Sequence, residues 1–382
     1  MGINQKINNQ YPFYLHNNIE FVDYWKRYFD KYPLQDTNRF EIYIDFPFCR
    51  SLCKFCAFGT NIFNDYKDRI KLYEDAVISI INDMKDIIPS KIDLIYFGGG
   101  TPPLWSRESL KEIASIIPGY NNATCRTMEV HPIDLTDEFL DFIINDINIK
   151  TISIGIQSFD LESNKMQNRI PCDINKLKHA IDILHKNNRY VNIDIVALFN
   201  YYDEHGWDIY RDDMEIAINE LHPDDICSIP NFRVPKYYVQ SIRFREILKD
   251  ITEKYPEYKL EHSESLSTNI NDIISYGEEP YHLLRNDGFY DFYRKYKVAM
   301  DSNVDILKNN IIMGFGGSIN NHTAISRLGM IQEDINSYFD FKRNRIIHRV
   351  KATRTISKYD GKGIPPSIRI CNCEIDPTIN DL

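Results

Sequence analysis

The sequence lacks the long apolar runs of a membrane protein. No window approaches the ~18 uninterrupted apolar residues that a membrane-spanning helix requires, and the first residues, MGINQK, lack the apolar stretch of a secretory signal peptide. Long runs of basic residues are also absent, and the 382-residue chain carries a net charge of −10. These absences disfavour nucleic acid and membranes as partners, and they favour a cytoplasmic protein.

Cysteine is present in an arrangement that does not suit disulfides. The chain has eight cysteines, and three of them, Cys49, Cys53 and Cys56, fall within eight positions as C-x3-C-x2-C. Thiols this close pair poorly with one another, and a chain of this size needs no covalent staples. The cysteines are therefore interpreted as metal-bound or free thiols in a reducing compartment.

From residue 40 onward, strand patterns and helix patterns alternate. The runs FEIYIDF, IDLIYF, TMEV, KTISIGI, VNIDIVAL and DICSIP read as strands, and most of the segments between them repeat apolar residues at helical spacing. Such alternation implies parallel strands joined by right-handed crossovers. About six units fit between residues 40 and 232, which predicts an α/β fold with a partial (β/α)6 barrel. An open doubly wound sheet is the competing interpretation.

Three regions follow from this pattern: an N-terminal arm with one short helix (1–39), the partial barrel (40–232) and a smaller mixed C-terminal region that covers the substrate (233–382). In the last region, 239–255 and 269–286 have helical patterns, and 306–323 reads as a strand that leads into a glycine turn. The last forty residues contain many turn formers and are expected to lie across the surface.

The cysteine loop directly follows a strand, so it is expected at the carboxyl end of the sheet, where α/β folds hold their ligands. A [4Fe–4S] cluster has four irons, and three thiolates leave one iron open to bind a cofactor or substrate. A zinc site is the first alternative, but zinc usually takes a fourth Cys or His ligand. Buried apolar thiols are the second alternative.

Several sequence motifs resemble those of one protein family, and they occur along the chain in the same order as in that family. YIDFPFCRSLCKFCAF, YFGGGTP, MEVHP and ISIGIQSFD are similar to motifs of the radical S-adenosylmethionine (SAM) superfamily, in its oxygen-independent coproporphyrinogen III oxidase-like branch. The resemblance implies a [4Fe–4S] cluster on Cys49, Cys53 and Cys56 and a SAM molecule on the open iron. It also implies reductive cleavage of SAM to a 5′-deoxyadenosyl radical, with an electron donor such as flavodoxin or ferredoxin.

The resemblance further implies roles for single residues. The residues expected at the cluster-bound SAM are Phe55, Gly100, Thr101, Gln157, Arg169 and Asp194. Those expected at a second SAM molecule are Tyr43, Gly99 and Glu129. Candidates for proton transfer are Asp45, Glu129 and His131. Each polar residue also has an ordinary structural alternative, such as a helix cap, a bond to loop backbone or a surface charge.

Several positions depart from the family pattern. Asp45 stands where the family has His, Phe58 replaces a further cysteine of the oxidases, and the stretch before the last glycine turn lacks the His and Trp of the heme chaperones. The expectation is a tailoring enzyme that methylates or cyclopropanates a small natural-product-type substrate with two SAM molecules. A tetrapyrrole oxidase and a non-catalytic heme chaperone are the alternatives. Cys371 and Cys373 are expected to be free thiols rather than ligands of a second cluster.

Overall fold

The structure, a computed structural model, describes residues 13–15, 17–31, 33–34, 39–56, 60–231, 238–262, 281–285, 310–316, 323–328, 331–340 and 345–353. Phe58, Cys371 and Cys373 lie outside these residues.

The strands are β1 (Phe13–Leu15), β2 (Arg39–Phe46), β3 (Phe48–Cys49), β4 (Asn61–Ile62), β5 (Leu94–Gly99), β6 (Cys125–Val130), β7 (Thr151–Gln157), β8 (Tyr190–Ala197), β9 (Asp225–Pro230), β10 (Tyr258–His262), β11 (Tyr281–Arg285), β12 (Asn310–Phe315), β13 (Thr323–Leu328), β14 (Ile331–Asp340) and β15 (Arg345–Thr353). The α-helices are α1 (Asn18–Lys31), α2 (Ile70–Met84), α3 (Arg107–Ile116), α4 (Asp137–Asp141), α5 (Leu161–Met166), α6 (Ile174–Lys186), α7 (Glu204–Ile216) and α8 (Tyr238–Lys254).

Six parallel strands form the centre of one large sheet, in the order β2-β5-β6-β7-β8-β9. Their order in space is their order along the chain, so every crossover advances in the same direction. Right-handed crossovers of that kind place all connecting helices on one face of the sheet. The doubly wound alternative requires a reversal of strand order, and there is none among these six strands. The predicted partial barrel is confirmed; the sheet does not close on itself within the described residues.

The two faces of the central strands differ in chemistry because side chains alternate along a strand. On β7 and β8, the face that packs on the core carries Ile152, Ile154, Ile156, Val191, Ile193 and Ile195, each at most 2% exposed. The opposite face of the same strands carries Ser153, Gly155, Gln157, Asn192 and Asp194. The apolar face packs against the core. The polar face lines a cavity.

Strands from the C-terminal half extend the sheet at both ends. β12 pairs in parallel with β2, and β11 pairs antiparallel with β9. The helical pattern predicted for 269–286 is wrong at its end, because residues 281–285 form β11. Leu283 and Leu284 are fully buried there. An apolar run this short does not distinguish a buried strand from part of a helix. Residues 345–353 likewise form a strand, β15, rather than a turn-rich surface segment.

The N-terminal arm contains the expected helix, α1, which is amphipathic. Phe21, Trp25 and Tyr28 lie on one face and are buried in the core. Trp25 and Tyr28 form an edge-to-face pair with ring centroids 5.3 Å apart, a geometry that aromatic quadrupoles favour. Among the residues that the structure describes, no helix is long and apolar enough to cross a membrane.

Candidate cofactor and active site

The polar face of the central strands surrounds a cavity of about 900 Å³. Small-molecule pockets range from about 300 to 1,000 Å³, so this cavity is at the upper end of that range. It runs along the inner face of β2 and β5–β9 up to the loops at their carboxyl ends. The residues predicted for the site that line this cavity are Tyr43, Cys49, Cys53, Phe55, Cys56, Gly99, Gly100, Thr101, Glu129, His131, Gln157, Arg169 and Asp194.

The three loop cysteines are brought together at one wall of the cavity. Cys49 ends β3, and a turn in which the N–H of Cys56 donates to the carbonyl of Cys53 (3.2 Å) places the other two beside it. Burial raises the pKa of the Cys49 thiol, and hydrogen bonds with Thr101 and Thr60 oppose that rise. Arg169 donates from Nη1 to the sulfur of Cys53 at 3.7 Å, so one cation already faces the thiols.

The three thiols fit the ligand set of an iron–sulfur cluster. Among the described residues, no three Cys, His, Asp or Glu side chains are close enough to hold one metal ion. A [4Fe–4S] cluster instead bonds each thiolate to a different iron, so its ligands need space between them. The three half-buried thiols around a cavity provide that space, and the neighbouring Arg169 would offset part of their negative charge.

The glycine segment at the carboxyl end of β5 packs directly against β3, which carries Cys49. A β-carbon on Gly100 would lie 2.5 Å from the carbonyl oxygen of Phe48, and Gly99 has a φ of +104°, which favours glycine. The N–H of Gly100 donates to the carbonyl of Phe46 (2.7 Å), so it is engaged within the protein. These glycines hold the cysteine loop close to the end of β5.

Glu129 is one of two acids in the cavity whose pKa is strongly raised. Burial, followed by the nearby charges of Asp194 and Asp45, raises its pKa from 4.5 to about 7. Hydrogen bonds oppose the rise: the hydroxyl of Tyr96 donates to Oε1 at 2.6 Å, and the backbone of Gly99 contributes another bond. Tyr96 also stacks on Tyr43, with centroids 5.4 Å apart. A cationic ligand would favour the ionised form of Glu129.

Asp194 is held by a small network on the same face. Its Oδ1 accepts from Nδ2 of Asn192 (2.9 Å), and its Oδ2 accepts weakly from the hydroxyl of Ser153 (3.4 Å). Burial raises the pKa of Asp194 to about 6, and the nearby Asp225 adds to the rise. Oδ1 of Asn192 is enclosed and has no partner, so a ligand donor in the cavity would satisfy it.

Gln157 and Arg169 lie at the carboxyl end of β7. Gln157 has a φ of +72° and follows a register irregularity in β7, so the strand turns sharply there. Its Oε1 is enclosed without a partner. Arg169 donates from Nη2 to the carbonyl of Gly155, which fixes its guanidinium at the wall of the cavity.

The remaining candidates differ in placement. Burial, together with the positive charges of Arg169 and Arg50, lowers the pKa of His131 to about 3, and its Nδ1 accepts from the N–H of Ile133 (3.3 Å). Asp45 is fully buried behind Gly99 and is not part of the cavity lining. Phe55 lines the cavity and packs edge-on against Phe199, with centroids 4.9 Å apart.

The sequence motifs did not identify the wall formed by β9 and β11. His282 lies opposite Cys227 in the strand register, and its Nδ1 lies 2.8 and 3.0 Å from the two carboxylate oxygens of Asp225. All three line the cavity. Alternation along β9 could have indicated Asp225 and Cys227, but nothing in the sequence brings His282 to them. Tyr96, Ser153 and Asn192 were also missed, although they lie three, four and two residues before the predicted Gly99, Gln157 and Asp194 on the same strands.

Comparisons with known proteins agree with the motifs. Residues 43–212 match the Radical SAM superfamily. The oxygen-independent coproporphyrinogen III oxidase of Helicobacter pylori (strain J99) is 28% identical over 149 residues, 37% of this chain and 32% of that protein. The anaerobilin synthase of Escherichia coli O157:H7 is 33% identical over 134 residues, 34% of this chain and 29% of that protein. The matched segment thus spans about a third of the length of each relative.

Among solved structures, coproporphyrinogen III oxidase (HemN) from Escherichia coli, described as a radical SAM enzyme, superposes with a TM-score of 0.59 at 16% identity. The superposition covers 87% of this chain and 74% of that structure. At this identity the likeness supports the fold alone, and it agrees with the mostly parallel sheet described above.

Proposed function

We propose that this chain, whose residues 43–212 are a radical SAM segment, is an enzyme that reductively cleaves SAM and uses the resulting radical on a small molecule. One observation carries the proposal. The three thiols of the cysteine loop line the same cavity as Glu129, Gln157 and Asp194 from three different strands. A cluster site and a polar ligand site therefore share one enclosed space.

Cys49, Cys53 and Cys56 would hold the [4Fe–4S] cluster. The cluster, when bound, supplies one electron that splits SAM into methionine and a 5′-deoxyadenosyl radical. Arg169 would bind the methionine carboxylate, because a guanidinium matches a carboxylate with two parallel hydrogen bonds. The unpartnered oxygens of Gln157 and Asn192 would accept hydrogen bonds from donors of SAM, and Asp194 would accept from the ribose hydroxyls.

A second SAM molecule is part of the proposal, and the size of the cavity supports it. A cavity of about 900 Å³ lies near the upper end of the range found for ligand pockets. The stacked pair Tyr43 and Tyr96, with Glu129 beside it, would contact the second molecule on the β2–β5 side. A negative carboxylate close to aromatic faces suits a sulfonium cation.

The preferred outcome of the radical is methylation or cyclopropanation of an sp² or unactivated carbon. Ordinary methyl transfer fails at such a carbon because it is a poor nucleophile. Enclosure of the reaction within the barrel would exclude water and orient the reactants. We further propose that flavodoxin or ferredoxin supplies the electron and that the enzyme works in the cytoplasm, in keeping with three loop thiols that form no disulfide in the described part of the chain.

The decisive experiment uses SAM with a deuterated methyl group. The protein is reconstituted anaerobically with iron and sulfide, reduced with dithionite and incubated with the labelled SAM. The proposal expects 5′-deoxyadenosine to form, and deuterium in its 5′ position supports abstraction from a second SAM. Unlabelled 5′-deoxyadenosine would remove the two-SAM proposal, and no 5′-deoxyadenosine at all would remove the enzymatic one.

Coproporphyrinogen oxidase-like chemistry is the second candidate, since a relative with that name matches residues of this chain. Anaerobic incubation with coproporphyrinogen III and SAM tests it, with loss of carbon dioxide as the readout. A heme chaperone would instead bind hemin tightly without consuming SAM, which an absorbance titration with hemin would detect.

A further inference from the structure

Gln157 occupies a backbone conformation that the strand itself does not favour. Its φ of +72° lies in the left-handed region, which is unfavourable for a residue with a β-carbon and persists only where the surroundings impose it. The amide is 8% exposed, and its Oε1 has no partner within the protein. Gln157 is therefore a strained residue whose Oε1 is available to accept a hydrogen bond from a ligand.

A buried carboxylate from another element holds the turn that follows Gln157. Asp213, on α7, is 2% exposed. Its Oδ2 accepts from the hydroxyl of Ser158 at 2.6 Å, and its Oδ1 accepts from the N–H of Phe159 at 2.7 Å. Each oxygen thus binds one of the two residues directly after Gln157, at lengths near the short end of the hydrogen-bond range.

The same turn is connected to Arg169. The carbonyl of Ser158 accepts from Nδ2 of Asn164 at 2.7 Å, and the carbonyl of Asn164 accepts from the N–H of Arg169 at 2.9 Å. Asn164 is 1% exposed. Hydrogen bonds therefore link Asp213 through Ser158 and Asn164 to Arg169, and Gln157 is joined to this network by its peptide bond to Ser158.

We propose that Asp213 is a positioning residue for SAM: it contacts no ligand but fixes the turn after β7 so that Gln157 and Arg169 face the cluster-bound molecule. This inference rests on the proposed function, because it assigns SAM to that part of the cavity. An alternative role limited to stability predicts that its replacement lowers the melting temperature and leaves SAM recognition unchanged.

The variants are chosen to weaken the turn in steps. Asp213→Asn keeps the shape but replaces one acceptor by an NH2 group that faces the existing donors. Ser158→Ala removes one of the two bonds and leaves the carboxylate in place, so it remains informative if the first variant does not fold. Asp212→Asn is the matched control, because Asp212 precedes Asp213 on the same helix and is exposed.

The assay follows 5′-deoxyadenosine formation by the reconstituted, dithionite-reduced enzyme at a series of SAM concentrations, and equilibrium binding of SAM is measured beside it. We expect the KM and Kd for SAM to rise about tenfold in Asp213→Asn and about threefold in Ser158→Ala, with kcat changed by less than about twofold. Iron content and melting temperature are recorded for each variant. Asp212→Asn should match the wild type.

A double-mutant cycle tests whether Asp213 acts through Gln157. Gln157→Asn shortens the amide, and asparagine tolerates the left-handed backbone. In that background Asp213→Asn should raise Kd by much less than tenfold, because the two changes remove one shared interaction. An unchanged Kd for SAM in both Asp213→Asn and Ser158→Ala would overturn the inference, as would full additivity with Gln157→Asn. Failure of the wild type to form 5′-deoxyadenosine would overturn the proposed function instead, and the Kd values would still decide the role of Asp213.

Discussion

Replacement of Glu129 by glutamine is expected to stabilise the folded protein at pH 8 and to weaken its binding of SAM. Folding raises the pKa of this carboxyl from 4.5 to about 7, chiefly through burial. The unfolded chain therefore releases its proton first as pH rises, so the unfolded state binds fewer protons between pH 4.5 and 7. Stability falls with rising pH across that window. The contribution of Glu129 to stability is therefore fully present below pH 4.5 and is lost above about pH 7.

The magnitude follows from the two pKa values. A tenfold change in a protonation equilibrium is worth about 1.4 kcal/mol, so ionised Glu129 costs the folded protein on the order of 3 kcal/mol at pH 8. Glutamine avoids this cost and keeps an acceptor for Tyr96. Its NH2 group has no assured partner, which removes about 1–2 kcal/mol of the gain. The expected net effect is a stabilisation of about 1–2 kcal/mol at pH 8, falling to zero or below at pH 4.5.

Urea unfolding at pH 8 and pH 4.5, with wild type and variant prepared identically, measures this difference. Glu138→Gln is the control, because Glu138 is exposed and its replacement should change neither midpoint appreciably. Binding of SAM should move in the opposite direction: the variant loses the charge that faces a cation, and its Kd should rise about tenfold at pH 8. A variant that is less stable than the wild type at pH 8 would refute the argument that burial makes this carboxylate costly.

Three further outcomes are expected. Gly100→Ala should lower the melting temperature and the iron content after reconstitution, because its β-carbon would lie 2.5 Å from the carbonyl oxygen of Phe48; a normal iron content would contradict this. Cys53→Ala should lose the cluster absorbance and all SAM cleavage, and residual cleavage would exclude the cluster ligand set. Tyr96→Phe removes a 2.6 Å donor to Glu129, so the pH midpoint for SAM binding should move upward; an unchanged or lower midpoint in a titration of Kd against pH would contradict it.

Local patterns predicted most of the barrel because its strands have strong and simple signals. DICSIP covers the same residues that form β9, and KTISIGI and VNIDIVAL each differ from β7 and β8 by one residue at both ends. These strands are short, rich in β-branched residues and bounded by turn formers. The start of α3 also has a local signal, because a serine directly before a helical pattern can cap it; the hydroxyl of Ser106 accepts from the N–H of Ser109 at 3.2 Å.

The errors occurred where long-range pairing decides the structure. Residues 281–285 had an apolar run too short to distinguish helix from strand, and their pairing with β9 made them a strand. The sequence also could not separate a partial barrel from a doubly wound sheet, since both share the same alternation of elements. Strand order, which is a property of the packed sheet, separates them.

Within the site, the amino-acid sequence alone determined which reactive side chains are present. The spacing of Cys49, Cys53 and Cys56 is local, so three thiols on one loop follow from adjacent residues. The glycine segment and the polar residues at strand ends are likewise local signals. Tertiary structure decided which groups meet: Tyr96 with Glu129, His282 with Asp225, and Asp213 with the turn after Gln157. The physical reason is that hydrogen bonds and pKa values depend on burial and on partners distant in sequence, which only the folded sheet brings within about 3 Å of one another.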